Sequence, residues 1–297
     1  MIDVIDVTKR FGSFAALDNV NVHVPDGAVY GLAGPNGAGK STLIRHLTGA
    51  YRQDSGQILI DGQPVFENPQ IKSRIAWIPD DLFYFPQARV CDMMHYYRGI
   101  YPKFDMARYQ KLKDAFAISD RQTIRRMSKG MQKQAAFWLA LCTCPDILIL
   151  DEPVDGLDPV MRRQVWGLIM GDVEERGTTV LVSSHNLREL EDVCDHVGII
   201  HHGKTVLERS LEELQCGTVK VQFVPADDWT LPPDLKVMHL SAVGRIQTAI
   251  IRGNADVVGA VFAAANPVFY DIVPLTLEEV FIYEMGGENY AVKDLVI

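Results

Sequence analysis

Apolar and polar residues alternate through the opening segment. Ile2 and Val4, then Val20, Val22 and Val24, recur with a period of two. That period predicts antiparallel strands with one buried face. GAVYGLA follows as a short buried strand, and GPNGAGKS turns it into a helix around LIRHLTG, which Gly49 is placed to stop. QILIDGQPV carries Asp61-Gly62, a tight-hairpin signal, and SRIAWIP reads as a strand closed by Pro79.

From about residue 85 to 145 the period changes to that of helices. Met106, Tyr109, Leu112, Lys113 and Phe116 recur at helical spacing, and a second helix is predicted from Lys129 to Cys142, ending before Pro145. DILIL is then a buried strand. PVMRRQVWGLIMGDVEERG is a helix opened by Pro159 and closed by Gly177. TTVLVSS reads as a strand, LRELEDVCDHV as a helix and GIIHHGKTVLE as a hairpin. Strands alternating with helices imply an α/β fold with a largely parallel sheet, interrupted by a helical insertion.

Near Gln215-Cys216-Gly217 the pattern changes again. VKVQFV, LKVMHL, RIQTAIIRG and PVFYDIV read as strands, and NADVVGAVFAAA as a helix. TLEEVFIYEMG is a helix with Thr276 and Glu279 at capping-box spacing. The chain is therefore expected to divide into residues 1–215 and a small α+β unit over 216–297.

Composition narrows the classes. The 297 residues are 47% hydrophobic and 23% charged, as in ordinary globular proteins. The net charge of −9 argues against a nucleic-acid surface. No apolar run approaches the roughly 20 residues of a membrane-spanning helix, and acidic residues interrupt the first segment, so a cytoplasmic chain is expected. Five cysteines, an odd count, fit free thiols in a reduced compartment, with Cys142 and Cys144 as apolar filler at a helix end.

The chemistry begins at Gly34, Pro35, Asn36, Gly37, Ala38, Gly39, Lys40 and Ser41, which fit G-x-x-x-x-G-K-[ST] between a buried strand and a helix. Such glycines let backbone N–H groups converge on phosphate, and the helix N-terminus adds partial positive charge. Lys40 is predicted to reach the β- and γ-phosphates, Ser41 to ligate Mg²⁺ and Thr42 to support the α-phosphate side. Asp151 ends the apolar run ILIL, where an acid holds Mg²⁺ directly or through water. Glu152, next in the chain, is placed to polarise the attacking water as general base.

In this order the residues resemble the ATP-binding-cassette (ABC) ATPase family over about residues 1–215. The resemblance implies a P-loop NTPase core of mixed sheet, with an antiparallel β-subdomain and a helical insertion, that binds ATP and Mg²⁺. Phe11 looks like the aromatic A-loop residue that stacks on adenine. Asp158, in PVDGLD, looks like the D-loop, which crosses a dimer interface. His185, in VLVSSH, looks like the switch histidine that contacts the γ-phosphate and orients Glu152. His201 and His202 fit a hairpin turn, with no metal assigned. The absence of N-K-x-D disfavours a GTPase.

Two positions depart from the family pattern. Asp80 stands where the Q-loop glutamine is usual, and two readings of it stand: an oxygen donor to Mg²⁺ or its water, and a plain acidic loop residue. The signature reads Met127, Ser128, Lys129, Gly130 and Met131 in place of Leu-Ser-Gly-Gly-Gln. Ser128 keeps the hydroxyl and a good N-cap. Gly130 keeps the close backbone approach. Lys129 adds a cation near an anionic ligand, Met131 loses an amide, and Gln134 replaces a usual arginine.

This S-K-G-M signature resembles the ATPase subunits of ABC-2-type exporters, and TLEEVFIYEMGG resembles the helix that ends them. The resemblance implies a head-to-tail dimer, of identical or different ATPase subunits, beneath a separate polytopic membrane permease at the inner face of the cell membrane. No nucleic acid is expected as a partner. The alternatives are a soluble ABC ATPase acting on ribosomes or nucleic acid and, more remotely, a small-molecule kinase.

Overall fold

The structure, a computed structural model, describes residues 1–226 and 229–279. In chain order, β1 (Ile2–Phe11), β2 (Phe14–Val24) and β3 (Val29–Ala33) lead to α1 (Lys40–Leu47). Next come β4 (Ser55–Ile60), β5 (Gln63–Pro64), α2 (Pro69–Lys72) and β6 (Ile75–Ile78). α3 (Val90–Ile100), α4 (Met106–Phe116) and α5 (Lys129–Cys142) make up the helical stretch. β7 (Ile147–Asp151), α6 (Pro159–Arg176), β8 (Thr179–Ser184), α7 (Leu187–Glu191), β9 (His196–His201) and β10 (Lys204–Ser210) follow. The last elements are α8 (Leu211–Cys216), β11 (Thr218–Val224), β12 (Lys236–Val243), β13 (Ile246–Arg252), α9 (Ala255–Ala265) and β14 (Phe269–Val273).

Two compact units result. One joins Met1–Asn186 to Val193–Glu208, and the other joins Leu187–Asp192 to the residues from Arg209 onward. The division thus falls at Glu208/Arg209 rather than at residue 215, and Ser210 begins α8, its Oγ accepting from Glu213 N at 3.1 Å.

In the first unit β1 and β2 pair antiparallel, with Ile2 opposite Val24 and Val4 opposite Val22. The order β2-β1-β4-β5 makes an antiparallel sheet. Asp61 and Gly62, both at positive φ, make its tight turn. The six-stranded sheet runs β10-β9-β3-β8-β7-β6, and its pairs from β9 through β6 are parallel. β3, β7 and β8 are buried at every residue, as parallel strands covered on both faces must be. His202 and Gly203, again at positive φ, turn β9 into β10. This is the mixed sheet expected of the ABC-ATPase core.

The helical stretch packs through stacked rings, Tyr109 on Trp138 at 4.5 Å, with the Trp138 indole N–H donating to the Tyr109 carbonyl at 2.9 Å. An ion pair ties α4 to α6, Arg108 Nη2 lying 2.6 Å from Oδ2 of the buried Asp172. Arg176 Nε also meets Asp172, at 3.3 Å from Oδ1, so removing Arg108 takes away one of two cations beside a buried carboxylate. Arg108→Ala is therefore expected to destabilise the chain by about 1–2 kcal/mol in urea denaturation, and an unchanged midpoint would refute that role for the pair.

LRELEDVCDHV is not one helix. α7 stops at Glu191 because Asp195 is tied to β3, its amide donating to Val29 O at 3.0 Å and its carboxylate accepting from Val29 N at 3.1 Å. The chain there must already be extended to start β9.

In the second unit the sheet order is β12-β13-β11-β14, all antiparallel. Val219, Val221 and Phe223 of β11 alternate inward and meet Val258 and Phe262 of α9. The predicted capping box is present, Glu279 Oε2 accepting from Thr276 N and Thr276 Oγ1 from Glu279 N. The rest of the helix predicted there lies outside the described residues. Among the described residues no helix is long and apolar enough to cross a membrane.

Candidate functional site

The site lies at the carboxyl ends of four adjacent parallel strands. Register brings them level: Ala33 pairs with Ser184, Asp151 with Ser183, and Ile78 with Leu150. The residues that follow these ends are the Gly34–Gly39 loop, Glu152, His185 and Asp80. Ligands of open α/β sheets bind in this crevice.

Local sequence shapes the phosphate loop. Gly34, Gly37 and Gly39 have φ of 154°, 80° and 113°, values that favour glycine. A Cβ on Gly34 would meet Ile200 O, and one on Gly39 would lie 2.7 Å from Ala16 O. Gly39 caps α1 with no side-chain bond, so the first N–H groups of the helix remain for an anion. A cavity of about 320 Å³ lies here, lined by Pro35, Asn36, Gly37, Gly39, Lys40, Ser41, Thr42, Asp80 and Glu152, with Phe14 and Ala16.

Lys40 is buried and donates to Gly34 O at 2.5 Å, with Glu152 Oε1 3.6 Å away. Burial lowers its pKa, against the opposing pull of Glu152 and Asp151. Asp151 is also buried and accepts from Ser183 Oγ at 2.5 Å. Glu152 has φ of 45°, the left-handed region, which is uncommon outside glycine. Its amide donates to Ser183 O at 3.2 Å, and its carboxylate lies 3.0 Å from His185 Nδ1. Burial raises the Glu152 pKa, while Lys40 and His185 pull it down. A carboxylate whose proton affinity burial strengthens suits the role of a general base.

The residues present suit Mg²⁺. The Ser41 hydroxyl and the Asp151 carboxylate are hard oxygen donors, and Ser183 fixes the carboxylate from behind. When bound, the ion would be held by Ser41 and Asp151 and would neutralise negative charge on the phosphates. Asp80 shares the cavity with Lys40 and Ser41 but also lies 3.8 Å from Lys133. Glu152, Asp155 and His185 bring one ligand atom each within 4.8 Å, an approach that includes the Glu152–His185 hydrogen bond.

The other predicted residues lie apart from this cavity. Phe11 is 48% exposed and edge-on to Tyr51 at 5.9 Å, outside the cavity lining, whereas Phe14 lines it. Ser128 is the N-cap of α5, its Oγ accepting from Met131 N at 3.2 Å. Ser128, Lys129, Gly130 and Met131 do not line the P-loop cavity of their own chain. Gly130 has an internal reason to be glycine, since a Cβ there would lie 2.9 Å from Gly156 O. Asp158 caps α6, Oδ1 accepting from Val160 N and Met161 N at 3.0 Å.

Sequence reasoning missed Lys133, Ser183, Asp155 and Gly156. A signal for Lys133 exists: it lies one turn from Gly130 and Phe137, on the buried face of an apolar helix, where a lysine is rare.

Comparison with known proteins places this geometry. The ABC transporter family model matches residues 17–155. The chain is 29% identical to the ABC transporter ATP-binding protein YtrB of Bacillus subtilis (strain 168), over 97% of this chain and 99% of that protein. It is 34% identical to the bacitracin transport ATP-binding protein BcrA of Bacillus licheniformis, over 72% of this chain and 71% of that one. A solved ATP-binding subunit of an ABC transporter has a TM-score of 0.67 at 26% identity, covering 72% of this chain and 92% of its own. These relatives are transporter components and lend no support to a ribosome- or nucleic-acid-directed role. Similarity of this degree over most of both chains carries the conclusion: the chain belongs to the ABC transporter family, as a subunit that binds and hydrolyses ATP with Mg²⁺ as the associated ion.

Proposed function

We propose that this chain energises an ABC-2-type exporter as one half of a head-to-tail ATPase dimer, beneath a separate polytopic permease at the inner face of the cell membrane. The observation that carries the reading is the open start of α5. Ser128 and Lys129 are exposed at a helix N-terminus that suits phosphate, yet they do not line the chain's own phosphate cavity. A nucleotide on a second ATPase subunit is the natural occupant. Identical subunits would satisfy this geometry, as would a related pair.

Within each site, Gly34–Gly39 and Lys40 hold the β- and γ-phosphates, Thr42 supports the α-phosphate side, and Ser41 with Asp151 holds Mg²⁺. Phe11, exposed, offers a ring face to adenine. Glu152 takes a proton from the attacking water, and His185 holds its carboxylate and meets the γ-phosphate. Asp80 joins this site to the helical stretch, and Asp158 belongs to the loop that meets the partner subunit. Catalysis here is positioning and electrostatics.

For the permease, the loop after Asp80 and helix α3 present Phe83, Phe85, Tyr96 and Ile100, all exposed. Phe85 lies edge-on to Tyr96 at 5.3 Å and to Phe83 at 6.4 Å, so the rings make one apolar surface. Aromatic anchors of this kind are what interfaces bury. The test is co-expression with any polytopic membrane protein encoded beside this gene. Wild-type chain is expected to co-purify with it, and a Phe83→Ser, Phe85→Ser double variant to lose it with an unchanged melting temperature. Retention by the double variant would remove this surface from the permease interface.

A further inference from the structure

Lys133 is nearly inaccessible, at 5% exposure, and no sequence motif used above gives it a task. Its ammonium donates to the Glu152 carbonyl at 2.5 Å and to the Asp155 carbonyl at 3.3 Å, and it lies 3.8 Å from Asp80 Oδ1. Two of the three ammonium donors are thus bonded to backbone carbonyls, and the Asp80 carboxylate faces the charge as an ion-pair partner. Desolvation makes a buried lysine costly, and burial does lower its pKa here, against the pull of Asp80 and Asp155. A lysine kept in such a place calls for a task that a smaller or apolar residue would not perform.

The task follows from which carbonyl it grips. Glu152 holds a left-handed backbone conformation, with φ of 45°, that is strained for a non-glycine residue. Its amide is tied to Ser183 and its carboxylate to His185, so the carbonyl is the remaining point by which its rotation can be fixed. One turn earlier on the same helix, Gly130 lets α5 approach Gly156 O. Lys133 and Gly130 together hold α5 against the turn that follows β7.

We infer that Lys133 is a positioning residue, which fixes the backbone of Glu152 and so makes the aim of the catalytic carboxylate depend on the placement of α5. Because α5 also begins at Ser128, the helix that meets one nucleotide sets the carboxylate serving the other. This rests on the proposed role of Glu152 as general base and adds the device that holds it.

The experiment compares Lys133→Met, Lys133→Gln and Glu152→Gln in the full chain, measuring kcat and KM for Mg-ATP and the affinity for a fluorescent ATP analogue. Lys133→Met removes both bonds at similar volume. It is expected to lower kcat about tenfold or more, with KM and analogue affinity within about twofold. Lys133→Gln keeps an N–H donor and is expected to recover part of the loss. A kcat within about twofold of wild type for Lys133→Met would overturn the inference, as would Lys133→Gln no better than Lys133→Met. If Lys133→Met does not fold, Lys133→Gln decides alone: a reduced kcat at unchanged affinity supports the role, and wild-type kcat removes it. Glu152→Gln separates the two readings. Wild-type turnover in that variant would remove the base itself, whereas loss there with normal Lys133→Met would sink only the role of Lys133.

Discussion

Glu152→Gln is expected to lower ATP turnover by about a hundredfold or more, the share general-base catalysis contributes, while leaving nucleotide binding intact. Glutamine has nearly the same shape, tolerates the same backbone tie from Lys133 and still reaches His185, but its amide cannot accept the proton of the attacking water. Lys40, Ser41 and the loop glycines are untouched, so ATP should bind as before. With hydrolysis blocked, the proposed ATP-bound dimer should persist, because the step that releases it does not occur. Size-exclusion chromatography with Mg-ATP reads both consequences: a stable dimer peak for the variant and none without nucleotide. Turnover equal to wild type would remove Glu152 from the chemistry, and a monomer at saturating ATP would count against the head-to-tail arrangement.

The second large effect is expected at the start of α5. Gly130→Asp should abolish hydrolysis, by about a hundredfold or more, and leave ATP binding to the isolated chain unchanged. Two causes act together. Any Cβ at residue 130 would lie 2.9 Å from Gly156 O, so α5 or the turn must shift. The added carboxylate would also place negative charge at a helix N-terminus that is to meet the partner's γ-phosphate. Gly130→Ala separates them, since it keeps the crowding and omits the charge. An intermediate loss is expected there. Ser128→Arg should behave like Gly130→Asp, because it removes the cap and fills the approach. Met131→Gln should change little. Wild-type hydrolysis by Gly130→Asp would refute the reading.

Much of the cassette was legible because its signals are local. The period-two pattern of Ile2, Val4, Val20, Val22 and Val24 needs only strand geometry, and those residues are buried as predicted. Pro159 and Gly177 punctuate α6 from within its own sequence. The shape of the Gly34–Gly39 loop is legible for the same reason, since its glycines answer to their own φ values. What escaped depends on distant partners. α7 is short because Val29, far back in the chain, holds Asp195. α8 was passed over although Ser210 and Glu213 have capping spacing, since its few residues carry no periodic pattern. Lys133 looks like surface charge until the fold brings the Glu152 carbonyl to it. Gly130 was read from phosphate geometry alone, and its contact with Gly156 is visible only in three dimensions.

The second unit is not written in one piece. Leu187–Asp192 clusters with the residues from Arg209 onward, and the links are specific. Leu277 N donates to Glu191 Oε2 at 3.1 Å, and Arg188 pairs with Glu278 at 3.1 Å. A modular view of such proteins would treat the C-terminal unit as a cartridge, cut at one junction and exchanged between relatives. Here that cut would orphan α7, whose partners would come from a foreign chain. A chimera joined near residue 208 should therefore fold poorly unless Leu187–Asp192 is exchanged with it, and inheritance of the unit would require both segments to change together.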